Sequence, residues 1–140
     1  MRFPSPVLLL LAAACSVPMA AAAPAGPPTP TLVVRTGETM SAQPIRVPGA
    51  PHEVVVSRAT LAPGGVIPAH RHPWSRYAYV EAGRIRVTNL DTGAVRELGP
   101  GDVLVEPLDQ WHEGRAVGDA PVRLVVTDHV PKGESNVVWR

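Results

Sequence analysis

From Thr31 onward no apolar residue recurs at helical spacing, and short runs rich in β-branched residues are cut every few positions by glycine or proline. Such punctuation leaves room for strands and tight turns and for little else. Val54-Val55-Val56 leads through Ala59 and Leu61 to Pro63-Gly64-Gly65, and Arg76–Val80 stops at Gly83. Arg84-Ile85-Arg86-Val87-Thr88 alternates polar with apolar residues, the period of a strand with one buried face. Asn89–Gly93 reads as a hairpin turn, Ala94–Leu98 as the returning strand, and Gly99-Pro100-Gly101 as another turn. Val103–Val105, Arg115–Val117 and Val122–Thr127 complete the series. With 17 prolines and 12 glycines in 140 residues, a helical bundle is excluded. The expectation is an all-β antiparallel sandwich or barrel.

The chain before Thr31 is different material. Arg2 gives a basic start, Val7–Ala14 is an unbroken apolar run, and Ala20–Ala23 supplies small residues. That order is the order of a secretory signal peptide, expected over residues 1–23. A variant is a lipoprotein signal ending at Cys15, since Leu11-Ala12-Ala13-Ala14-Cys15 has the shape of a lipobox. Ser16 and Pro18 interrupt the run before it reaches the ~20 apolar residues of a membrane span. The expected location is therefore periplasmic or secreted, with an outer-membrane lipoprotein as the anchored form. Residues 24–52 read as a proline-rich arm and edge segment, 53–130 as the barrel, and 131–140 as a tail that lies on the surface or wraps it. Thirteen basic and 12 acidic residues give a net charge of +1, without the basic footprint of a nucleic-acid binder. The lone cysteine excludes an intrachain disulfide and any multi-cysteine metal site.

His70-Arg71-His72 carries the first chemical signal. On a strand, residues two apart project to the same side, so both imidazoles face one way and Arg71 the other. His112 follows a turn at Pro107–Gln110, where an antiparallel partner would bring it opposite the pair. Imidazole nitrogens suit zinc, copper, iron or nickel.

These residues carry a resemblance. Gly64, His70 and His72, followed by Tyr79-Val80 and Gly83, resemble the first motif of the cupin superfamily. Gly101-Asp102, Pro107 and His112 resemble the second. The resemblance implies a single jelly-roll β-barrel holding one divalent transition metal ion (Fe, Mn, Cu, Zn or Ni) on His70, His72 and His112. It also implies a small-molecule ligand as partner, and homodimers are usual among proteins of this kind. The family's metal-binding glutamate, four residues after the second histidine, is Arg76 here. The glycine usual two residues after the second-motif proline is Asp109, and the usual asparagine near that motif's end is Ala116.

Arg76 bears on function. A guanidinium about 6 Å from a dication, at an effective dielectric of about 20, would oppose it by roughly 5 kcal/mol. Three resolutions are open: Arg76 turns outward, it pairs with an acid, or a substrate carboxylate bridges it to the metal. On the last reading Arg76 and Tyr79 bind substrate, although Tyr79 reads first as a core residue. Trp74 and Trp111 either roof the pocket or anchor loops. Glu106 reads as an ion-pair partner, Asp102 as part of a turn, and His52 and His129 as surface residues. The functional expectation is an exported small cupin-domain protein whose three-histidine metal site binds a small polar or anionic ligand, with a metal-dependent oxygenase or isomerase as its catalytic form. Its alternative is a non-catalytic, metal-free module that holds a small anion or sugar on Arg76 and pocket aromatics.

Overall fold

The computed structural model describes residues 30–49 and 51–140; the expected signal segment and Cys15 lie outside them. Every regular element among the described residues is a strand: β1 (His52–Leu61), β2 (Val66–Arg71), β3 (Arg76–Ala82), β4 (Arg84–Asn89), β5 (Val95–Leu98), β6 (Val103–Val105), β7 (His112–Val117), β8 (Val122–Pro131) and β9 (Val138–Trp139). No helix there is long and apolar enough to cross a membrane. The strands pair antiparallel in two sheets, in the orders β1-β8-β3-β6 and β5-β4-β7-β2-β9. Each sheet joins strands distant in sequence, the arrangement of a jelly roll.

The turns fall where glycine allows them. Gly83, between β3 and β4, has φ +74°, and a Cβ there would lie 2.4 Å from the Pro121 carbonyl oxygen. Only a residue without a side chain fits that approach.

Alternation along the strands sorts the interior. Ala78 and Val80 of β3, Val87 and Ile85 of β4, Ala116 of β7, and Val126 and Leu124 of β8 are buried in one cluster. At one end of the barrel the same rows finish in polar residues: Arg76 on β3, Asn89 on β4, His112 on β7 and Asp128 on β8. His112 is the register partner of both Asn89 and His70, and Arg76 is the partner of Asp128.

The tail wraps the barrel. Its last strand, β9, pairs with β2 so that Trp139 lies opposite His70 and Val138 opposite Arg71. The N-terminal arm reaches the polar end from another side. The Met40 amide donates to the Val105 carbonyl, and the Gln43 side chain both donates to and accepts from the Leu108 backbone. This arm braces the loop that follows β6.

Candidate metal centre

His70, His72 and His112 converge. His70 and His112 sit directly opposite each other on β2 and β7, with ring centroids 4.4 Å apart. His72, two residues beyond His70, places its ring 4.8 Å from His70 and 4.9 Å from His112. All three rings are buried. The loop that carries His112 is held against His72 by a hydrogen bond from the Asp109 amide to the His72 carbonyl (2.8 Å). Asp109 adopts φ +53°, which accounts for the family's preference for glycine at this position. Aspartate is among the few other residues that tolerate this region, and its carboxylate accepts from Arg71 at 2.9 Å.

A fourth donor comes from the other sheet. Glu106 follows β6, and its carboxylate joins the three histidines so that one donor atom from each residue lies within 4.8 Å of all the others. The Glu106 amide donates to the Arg76 carbonyl, which makes the two residues cross-strand neighbours. The carboxylate that the family pattern places at position 76 therefore reaches the site from the adjacent strand. Read from sequence, Glu106 is an ion-pair partner; in the fold its partners are His72 and His112.

Hydrogen bonding fixes each ring. Nδ1 donates to a backbone carbonyl in every case: His70 to Pro68 at 2.8 Å, His72 to Asn136 at 2.6 Å and His112 to Gln110 at 2.8 Å. A carbonyl oxygen only accepts, so Nδ1 holds the hydrogen and the lone pair of each neutral ring lies on Nε2. Two of those nitrogens, on His72 and His112, lie 2.8 and 3.1 Å from the same Glu106 oxygen. A neutral ring would there oppose lone pair to lone pair. The geometry is favourable only when cations balance it: protons on the two Nε2 atoms, or one metal ion shared by all four donors. Burial pushes the His70 imidazole down to about 4, assisted by His112 and His72 and opposed by its bond to Pro68, so His70 is neutral at pH 7. Burial pushes the Glu106 carboxyl up, but the hydrogen bonds and charges of His112 and His72 outweigh it and hold the group well below the usual carboxylate range. Three imidazole nitrogens and one carboxylate oxygen are a donor set that suits a divalent transition ion, and these four residues would hold one such ion between them.

Arg76 pairs with an acid, the second of the three resolutions open from sequence. Its Nε and one terminal nitrogen donate to the two oxygens of buried Asp128 at 2.7 and 2.9 Å. Asp128 also accepts from Asn136 Nδ2 at 2.6 Å, and Asn136 supplies the carbonyl that orients His72. The opposition expected between Arg76 and a dication is thus offset by one paired carboxylate, and Glu106 adds a second negative charge at the donors.

Above the donors lies a cavity of about 390 Å³, lined by His70, Arg76, Glu106 and His112 together with the apolar rows. Its aromatic is Trp139, whose ring is 5.3 Å from His70. Tyr79 is not among the lining residues: it faces outward and is 40% exposed, because Ala78 and Val80 take the inward positions of β3. Trp74 does not line the cavity either. Trp111 lies beneath the guanidinium groups of Arg71 and Arg140 and anchors its loop. Asp102 caps its own turn through Gly99. His52 is exposed, whereas His129 is half-buried with its ring 5.7 Å from Tyr77, so the surface reading holds for the first alone. The outward choice of Tyr79 has no local signal in Tyr-Ala-Tyr-Val. The choice of Glu106 could have been found only by pairing β3 with β6.

A family model for the cupin domain matches residues 57–128, and the chain belongs to that family. Among solved structures it is similar to oxalate oxidase in complex with glycolate, at 28% identity and a TM-score of 0.54, over 61% of this chain and 45% of that one. It is also similar to the polyketide cyclase RemF from Streptomyces resistomycificus, at 26% identity and a TM-score of 0.50, over 62% of this chain and 61% of that one. Likeness to the DMSP lyase DddQ from Ruegeria pomeroyi DSS-3 (24% identity, TM-score 0.53, 61% and 42% covered) shows the shared fold alone. The chain spans less than half the length of the oxalate oxidase it matches. A search of curated proteins gives no match.

Proposed function

We propose that this protein is a metal-dependent cupin in which His70, His72, His112 and Glu106 hold one divalent transition ion that acts on a small organic molecule in the adjoining cavity. The observation that carries the reading is the hydrogen-bond polarity of the rings: three Nδ1 atoms donate outward to carbonyls while the Nε2 lone pairs and a carboxylate converge. Such orientation by groups behind the ligands is the usual support of a metal site. A bound ion would supply Lewis-acid polarisation of a ligand oxygen. The chain's own groups do the rest. Pro68, Gln110 and Asn136 fix the rings, Asp128 neutralises Arg76, and the apolar walls bound the space above the donors. An oxygenase and an isomerase both fit this arrangement; the similarity to an oxalate oxidase and to a polyketide cyclase supports chemistry on a small organic molecule without choosing between them.

The metal-free alternative needs a free guanidinium, and Asp128 occupies one edge of Arg76. Export is supported by Arg2 and the apolar run Val7–Ala14, with Cys15 as the site of an anchoring lipid in the lipoprotein form. Pairing into a homodimer is supported by β1, an edge strand of its sheet among the described residues, where Val54, Val55 and Val56 are exposed.

The test is the metal content of the protein purified without an affinity tag or chelator. About one equivalent of a single transition metal is expected, retained in His52→Ala and lost in His112→Ala and Glu106→Ala. No metal in the purified protein and none on reconstitution would refute the proposal.

A further inference from the structure

The rows that line the barrel have a common polarity. Five of them run from the polar end into the interior: His112-Gly114-Ala116, Arg76-Ala78-Val80, Asn89-Val87-Ile85, Asp128-Val126-Leu124 and Glu106-Leu104. Each starts with a polar side chain and continues only with apolar residues or glycine. Apart from the donors and Arg76, the cavity's polar lining residues are Thr60, which is exposed, and Glu113, which is half-buried. One end of the space can therefore bind charge or oxygen, and the other offers a ligand hydrocarbon with Thr60 as its single polar residue.

A long dianion such as octanedioate fits this space poorly. With both ends charged, it would place one carboxylate against the apolar rows, and an ion desolvated without a partner is strongly disfavoured. A molecule with one oxygen-bearing head and an apolar body meets both ends on their own terms. Ile67 and Ile85 form one wall of that apolar space. A Cβ at Gly114 would come 3.2 Å from Ile67 Cδ1 and 3.3 Å from Ile85 Cδ1, so the missing side chain is what lets both isoleucines pack down against β7 and leaves the cavity beyond them open.

We infer that the site takes an amphiphilic small molecule, a monocarboxylate or similar single-headed oxygen compound whose apolar body lies in the cavity against Ile67 and Ile85. The placement of the head rests on the metal reading proposed above. The fit of the body does not, because the apolar rows are the same with or without an ion.

The experiment is calorimetric titration of the full-length protein, zinc-loaded and metal-stripped, with butanoate, hexanoate, octanoate and octanedioate, with metal content measured on every sample. The association constant is expected to rise about fourfold for each added methylene until the cavity is filled, and octanedioate is expected to bind no more tightly than butanoate. Gly114→Val, which pushes Ile67 and Ile85 into the cavity, should stop the rise at a shorter chain, and Ile67→Ala, which enlarges the cavity, should extend it, both at unchanged metal content. A flat series in both forms of the protein, or octanedioate binding as tightly as octanoate, overturns the inference. A sample that takes up no metal yet still shows the chain-length rise defeats the metal reading and leaves the amphiphilic pocket standing.

Discussion

Replacing Asp128 by leucine strands a cation inside the barrel. Arg76 and Asp128 are 16% and 6% exposed at their side chains and share two charge-assisted hydrogen bonds. Removing one partner of a buried pair costs about 3–5 kcal/mol, because the remaining charge keeps its desolvation without its partner. Asn136 Nδ2 loses its acceptor in the same substitution, at about 1 kcal/mol, although it keeps the Trp74 carbonyl. The sum is about 4–6 kcal/mol. At about 4 °C per kcal/mol for a domain near this size, Asp128→Leu should lower Tm by about 16–24 °C. The double variant Arg76→Leu/Asp128→Leu removes both charges and retains only the Asn136 loss, so it should recover all but about 1–2 kcal/mol. The assay is thermal and urea unfolding of wild type, the two single variants and the double, closed as a mutant cycle. A double variant no more stable than Asp128→Leu alone would refute the reasoning. The destabilisation would then belong to lost packing, and Asp128 would not be the group that neutralises Arg76.

Two further outcomes are expected of stability. His70 is held at about 4 in the fold, against about 6.5 in the unfolded chain. Between those values the unfolded chain binds the extra proton, so metal-free stability should fall as pH drops from 6.5 to 4, by on the order of 3 kcal/mol. Glu106, whose folded carboxyl is lowered, adds a loss that begins near its unfolded value and continues downward. Urea midpoints at pH 7, 5.5 and 4.5 should show the decline in wild type and a shallower one in His70→Asn; equal slopes would count against His70 as its source. Separately, Gly83→Ala must push a methyl group against the Pro121 carbonyl at positive φ, and a loss of more than about 2 kcal/mol in urea unfolding is expected. A loss under 1 kcal/mol would show that the turn relaxes.

The barrel and the histidines were legible in the sequence because their signals are local. Glycine and proline mark the turns, and Arg84–Thr88 shows its buried face by alternation. His70 and His72 share a face at any register, and the turn at Pro107–Gln110 turns the chain back so that His112 can meet them. Glu106 was not legible as a donor, because its place depends on β3 pairing with β6 after twenty intervening residues. A glutamate before a proline carries no mark of that pairing. Tyr79 was misplaced for a related reason. Tyr77 and Tyr79 alternate with Ala78 and Val80, both sets are apolar enough for a core, and only the narrow interior selects the smaller pair. Trp139 belongs to a tail whose strand is two residues long, too short for any periodicity to reveal.

The adjacency of Arg76 and Glu106 also bears on how such sites can be sought and how they change. A one-dimensional motif asks which residue stands four places after a histidine. A barrel wall asks which side chain occupies a patch of surface, and antiparallel pairing gives that patch two owners. A carboxylate can leave one owner and arise on the other while the ion sees the same set of donors. Two substitutions suffice, and if the new carboxylate arises first, the intermediate has one ligand too many rather than one too few. A pattern that demands glutamate at position 76 would discard this chain, whereas one that scores donors by their place on the wall would retain it.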